Sequence, residues 1–107
     1  MRAEMIVFSG SSHPRLATHI AQRLGTPLGR STCMKFSNEN LMVRLQDNVR
    51  EKDVFVVQTA CTPVNENIME LLLFLDACKY ASAARITAVL PYFPYGRSDK
   101  KDEPRIS

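Results

Sequence analysis

Apolar and polar positions alternate along this chain in short blocks, and each block has a recognisable period. Met5 to Phe8 is an apolar run closed by Ser9, Gly10, Ser11 and Ser12, which predicts a buried strand followed by a turn. Over residues 14–24, Leu16, Ile20 and Leu24 recur at four-residue spacing with Ala17 and Ala21 beside them, so one helix face is apolar. Pro14 suits the first helical turn, where its missing N–H costs nothing, and Ser12 is the expected cap. Gly25 suits the left-handed position beyond the last turn, and Pro27 stops the helix from continuing.

Residues 28–35 and 41–45 read as two extended segments around Phe36-Ser-Asn-Glu-Asn40. Val43 and Leu45 alternate with Arg44, as in a strand with one wet face, and the connection is short enough for an antiparallel pair. Polar residues 46–52 lead into Asp53-Val-Phe-Val-Val-Gln58, a β-branched and aromatic run without internal charge, hence a buried strand. A loop over residues 59–67 precedes a helix over about 66–81, with Asn65 or Asn67 as its cap. Its stripe of Ile68, Leu71, Leu72 and Leu75 is matched on the opposite side by Met69, Leu73 and Phe74. A helix apolar nearly all round is buried on both sides; in so small a domain the second side meets another domain or subunit. Residues 85–90 form a third buried strand. The series predicts an α/β domain of three layers, a mainly parallel sheet with flanking helices and right-handed crossovers.

Length and charge narrow the function classes. A chain of 107 residues suits one small domain. Its formal charge of +3 tolerates anionic ligands, but no basic stripe with interleaved aromatics argues for nucleic acid. Cys33, Cys61 and Cys78 are odd in number and widely spaced, which favours reduced thiols in a cytoplasmic protein over disulfides or a zinc site. The apolar part of the N-terminus is too short for a signal peptide, and the longest apolar run, Leu71 to Leu75, cannot span a membrane. The chain stops directly after its most polar segment, as a longer protein cut short would.

Three stretches carry candidate chemistry. Residues 91–105 begin where a buried strand ends, the place where open α/β sheets bind ligands. There Arg97, Lys100, Lys101 and Arg105 can hold phosphate oxygens, while Asp99 and Asp102 can orient a magnesium shell or a sugar hydroxyl. On composition alone the same run is a solvated charged tail. The Ser9 to Ser12 turn can offer N–H groups to a phosphate, but it lacks the Gly-x-Gly-x-x-Gly and Walker patterns, so a plain helix cap is the better reading. Phe36 with the amides that follow can stack on a base and bond its edge, but on these residues alone a polar turn with Phe36 tucked into the core is the better reading. His13 and His19 read as surface helix residues without triad partners.

Taken in order, several stretches resemble ribose-phosphate pyrophosphokinase, the phosphoribosyl pyrophosphate (PRPP) synthetase family. They are Phe8-Ser-Gly-Ser-Ser-His13, Lys35-Phe-Ser-Asn38, Asn48-Val-Arg50 with the strand after it, Asn67-Ile-Met-Glu-Leu-Leu72, Asp76-Ala-Cys-Lys79, Arg85-Ile-Thr-Ala-Val89, Pro91-Tyr-Phe-Pro-Tyr95 and Arg97-Ser-Asp-Lys-Lys101. The resemblance implies a phosphoribosyltransferase-like fold, with residues 1–107 as an N-terminal domain truncated before the rest of the catalytic site. It implies diphosphoryl transfer from ATP, with magnesium, to ribose 5-phosphate, in a cytoplasmic homo-oligomer that needs neither nucleic acid nor membrane. Phe36, Asn38 and Asn40 would contact the adenine of ATP bound to a neighbouring subunit, and Arg97, Ser98, Asp99 and Asp102 would lie at the ATP end of the site. Asn48, Arg50 and Lys101 fall near the family's regulatory phosphate positions. No catalytic residue and no metal ligand falls within this stretch.

The family usually carries Glu where Asn40 stands and often Gln where Ser98 stands. Those departures suit a second reading, a non-catalytic PRPP-synthetase-like regulatory subunit. A third, from another class, is a small α/β anion-binding module built on the basic tail, which leaves the ordered matches unexplained.

Overall fold

The computed structural model describes residues 3–38, 40–59, 61 and 63–91. In chain order the elements are β1 (Met5–Ser9), α1 (Pro14–Leu24), β2 (Ser31–Lys35), β3 (Leu41–Leu45), β4 (Asp53–Val57), α2 (Val64–Tyr80) and β5 (Arg85–Val89). The three apolar runs become parallel strands in the order β1–β4–β5, with Val7 opposite Phe55 and Phe55 opposite Thr87. Because successive strand residues face opposite ways, Ile6, Phe8, Val54 and Val56 meet Leu71, Phe74 and Cys78 of α2. Val7 and Val57 meet Ala17 and Ala21 of α1 on the other face. The result is the expected three layers. Each fully buried valine contributes about 1.5–3 kcal/mol of transfer free energy, and the Phe8 and Phe74 rings pack tilted with centroids 5.4 Å apart.

The first extended segment divides in two. Leu28 makes a single parallel bridge to Val7, and Gly29 N–H donates to the Val7 carbonyl at 2.6 Å. Here the backbone lies so close over Phe8 that a Cβ on Gly29 would run into the ring. The chain then leaves the sheet, and β2 and β3 form a separate antiparallel hairpin with Cys33 opposite Val43. Val43 and Leu45 pack against the α2 side of the core.

Three local expectations need correction. The cap of α1 is His13, whose Nδ1 accepts from Leu16 N–H at 3.1 Å, because Ser12 is engaged by strand β4's end. Helix α2 starts at Val64 behind Pro63, without a side-chain cap; Asn67 lies inside it and turns inward, donating from Nδ2 to the Cys61 carbonyl at 2.8 Å. The buried face of α2 is Asn67, Glu70, Leu71, Phe74 and Cys78, while Met69 and Leu72 are exposed. Polar groups at the strand ends draw Asn67 and Glu70 inward and so rotate the helix away from its most apolar phase. Gly25, by contrast, closes α1 in the left-handed conformation as its sequence position implies, with φ 66°.

Candidate functional site

At the carboxyl end of the sheet, β1 and β4 stop side by side and their polar successors meet α2. Gly10 N–H donates to the Val57 carbonyl at 2.9 Å, and a side chain at Gly10 would collide with Gln58. Gln58 is buried: its Oε1 accepts from Ser12 N–H at 3.1 Å and Ser12 Oγ at 2.5 Å, while its Nε2 donates to Glu70 Oε1 at 2.7 Å. Glu70, only 3% exposed, also accepts from Ser11 N–H, at 3.1 and 3.2 Å, and from Ser11 Oγ at 2.6 Å. The carboxylate is therefore held by the turn that precedes α1. The N–H groups of the Ser-rich turn are bonded internally, so this turn is a structural joint and not a phosphate cradle.

Sequence reading missed this joint. Its signal was Asn67 and Glu70, three residues apart and in phase with Leu71 and Phe74, two polar groups on an otherwise apolar face. Beside it, burial and the charge of Glu70 push the Cys33 thiol up to about 11, and burial pushes Cys78 up to about 11. Neither is a poised nucleophile. All three cysteines are free thiols.

The hairpin tip gathers the first set of expected ligand contacts. Phe36 N–H donates to the Asn40 carbonyl at 2.8 Å, and Asn38 Oδ1 accepts from Asn40 N–H at 3.2 Å. Phe36 is 47% exposed, which overturns the reading that tucks it into the core. A short antiparallel turn leaves its ring no inner face to occupy. Phe36 and Asn40 line a cleft of about 830 Å³ whose other wall is Glu66, Met69 and Leu73 of α2. Lys35 Nζ lies 3.5 Å from Glu66 Oε2 across it. An exposed ring, amides and an apolar wall are what a flat heteroaromatic ligand uses.

At the hairpin's base, one carboxylate binds one residue twice. Asp47 Oδ2 accepts from Arg30 N–H at 2.7 Å, and Asp47 Oδ1 accepts from Arg30 Nε at 3.0 Å and Nη2 at 2.6 Å. Arg30 holds the Asp47 carboxyl below its ordinary range, first through the side-chain bonds and then through the backbone bond, and the guanidinium is raised in return.

Asn48 and Arg50 occupy the turn that enters β4, exposed on either side of buried Val49, with Asn48 Oδ1 accepting from Arg50 N–H at 3.0 Å. Glu51 and Ser82, both with left-handed backbone, join this turn to the start of β5 through a 2.9 Å hydrogen bond. This is the amino end of the parallel strands, so the fold separates these residues from the Gly10–Ser12 joint at the other end. Arg97, Ser98, Asp99, Lys101 and Asp102 lie outside the described residues; β5 delivers the chain as far as Pro91 at the carboxyl end of the sheet. Among the described residues no group of three His, Cys, Asp or Glu converges for a metal ion, and no helix is long and apolar enough to cross a membrane.

Residues 5–107 match the family model for the N-terminal domain of ribose phosphate pyrophosphokinase. The chain is 58% identical to a ribose-phosphate pyrophosphokinase from Deinococcus radiodurans over 106 residues, which is 99% of this chain and 33% of that protein. It also superimposes on a crystal structure of phosphoribosylpyrophosphate synthetase from Mycobacterium smegmatis with a TM-score of 0.88 and 41% identity, covering 94% of this chain and 35% of that one. The chain thus spans about a third of the length of these relatives. Nearly all of it matches one domain of one family: the chain belongs to the ribose-phosphate pyrophosphokinases, as their N-terminal domain.

Proposed function

We propose that this domain serves a protein that transfers the diphosphoryl group of ATP to ribose 5-phosphate, giving PRPP and AMP. The sugar's anomeric hydroxyl oxygen bonds to the β-phosphorus and loses its proton. The bond from the β-phosphorus to the oxygen shared with the α-phosphate breaks, and AMP leaves. Such transfer rests on positioning and charge neutralisation. The observation that carries the reading is the exposed Phe36 at the hairpin tip, with Asn38 and Asn40 folded around it. In this reading the tip contacts the adenine of ATP held by a neighbouring subunit of a cytoplasmic homo-oligomer. Arg97, Ser98, Asp99 and Asp102 line the nucleotide from the other side, and Asn48, Arg50 and Lys101 take a regulatory phosphate. Magnesium would enter with ATP and neutralise its phosphates; the described residues offer it no ligand set.

Adding ATP with magnesium to the isotopically labelled chain should shift the resonances of Phe36, Asn38 and Asn40, and Phe36→Ala should weaken that response by about tenfold. With ribose 5-phosphate also present, the 107-residue chain should form no AMP, since it spans only about a third of the length of its relatives. Shifts confined to other regions, or AMP formation, would count against the reading. Asn40, where the family usually carries Glu, favours a regulatory subunit as the second reading; AMP formation by a longer chain continuing past Ser107 decides between them.

A further inference from the structure

Among the described residues, the β2–β3 hairpin shares no hydrogen-bonded ladder with the main sheet. Where it departs, Gln46 N–H donates to the Arg30 carbonyl at 2.9 Å, and Asp47 takes both the backbone N–H and the guanidinium of Arg30. We infer that Arg30 is a positioning residue: its clip to Asp47 ties the hairpin's two stems together beside their anchors, Gly29 on the Val7 carbonyl and buried Val49, and so limits where Phe36, Asn38 and Asn40 are presented. The nucleotide consequence rests on the function proposed above; the mechanical one does not.

Magnitudes favour positioning over general stability. The Arg30 side chain is 74% exposed and that of Asp47 24%, and an ion pair open to water adds little to folding. Geometry multiplies its effect. The hairpin's five residue pairs span roughly 17 Å, so a pivot of ~10° at the base displaces the tip by ~3 Å. Displacements of that size break hydrogen bonds and remove catalytic alignment. Val43 and Leu45 also hold the hairpin against the core, but apolar packing is non-directional; Leu28 adds one bridge near the base, and the Lys35–Glu66 pair near the tip is a loose 3.5 Å contact. The carboxylate fixes both the backbone and the side chain of one residue, so it restricts rotation as a single point charge would not.

Backbone hydrogen exchange on the whole chain tests this. Arg30→Gln and Asp47→Asn should each speed exchange in Ser31–Lys35 and Leu41–Leu45 by about two- to fivefold, leaving Asp53–Val57 unchanged. Arg30→Lys, which keeps the charge and loses the planar fork, should leave most of that increase in place. In the same variants, ATP affinity at the tip should fall by about three- to tenfold. Unchanged hairpin exchange overturns the inference. So does an equal rise in Asp53–Val57, because the pair would then be a general structural contact. Selective hairpin loosening in a protein whose tip does not respond to ATP upholds the clip and removes the nucleotide reading.

Discussion

Single residues divide by whether their neighbours can adapt. Glu70 is the clearest case, because every bond at its carboxylate is donated to it, from Ser11 N–H, Ser11 Oγ and Gln58 Nε2. Gln at this position would keep one accepting oxygen and turn an NH2 group toward those donors. The joint between β1, β4 and α2 would lose bonds while the remaining polar groups stayed buried. Glu70→Gln should therefore cost about 2–4 kcal/mol of unfolding free energy, read as a lower urea midpoint. Glu66→Gln on the same helix, partly exposed and 3.5 Å from Lys35, should cost under ~0.5 kcal/mol. Equal effects would mean that the network merely fills space. Gly10 belongs to the same joint: its missing side chain is what lets Gln58 lie across the turn.

Elements differ in how far their sequence determined them. Strand β4 and helix α1 could be placed from periodicity and punctuation because each buries an apolar surface that its own residues advertise; β5 lies where it was expected but, as an edge strand, is only partly buried and not the buried strand its apolar run implied. The start and rotation of α2 could not. Pro63 begins that helix earlier than the Asn residues suggested, and its face is chosen by Asn67 bonding to the loop before it and by Glu70 bonding to Gln58 and to Ser11, which is far away in sequence. The hairpin was legible as a pair of strands, but its separation from the sheet depends on close passage of Gly29 over Phe8, a tertiary fact. Nor does spacing alone pair Arg30 with Asp47. That pair makes the hairpin sensitive to acid. Arg30, with a smaller contribution from Lys52, lowers the Asp47 carboxyl below its ordinary 3.8. A depressed carboxyl contributes stability that is complete above the unfolded value and is lost as pH falls through the folded one. The Asp47 carboxyl carbon resonance should titrate with a midpoint below 3.8, and hairpin amide shifts should follow the same midpoint. A midpoint at or above 3.8 would show that the clip does not persist in solution. Added salt should weaken the coupling, since both groups face water.

At the scale of the whole molecule, the described residues leave apolar surface that their own layers do not cover. Met69 and Leu72 on α2 are 49% and 53% exposed, although the helix is apolar on nearly every side. Leu72, Leu75, Ile86 and Ala88 line a groove between α2 and β5, and β5 ends the described sheet with its outer edge unpaired. Large contiguous apolar patches are uncommon on monomers, and stable interfaces bury about 1,200–2,000 Å² in total. This surface supports the proposed oligomer, and its position identifies which side chains to change. Sedimentation of the 107-residue chain should show association that rises with concentration. Met69→Lys combined with Leu72→Lys should shift it to monomer while altering unfolding free energy by less than about 1 kcal/mol, because both side chains already meet water in the single chain. An unmodified chain that stays monomeric throughout would remove self-association as the reason for this face. Persistent association of the double variant would move the contact elsewhere, first to the β5 edge, where Thr87→Pro would block added pairing.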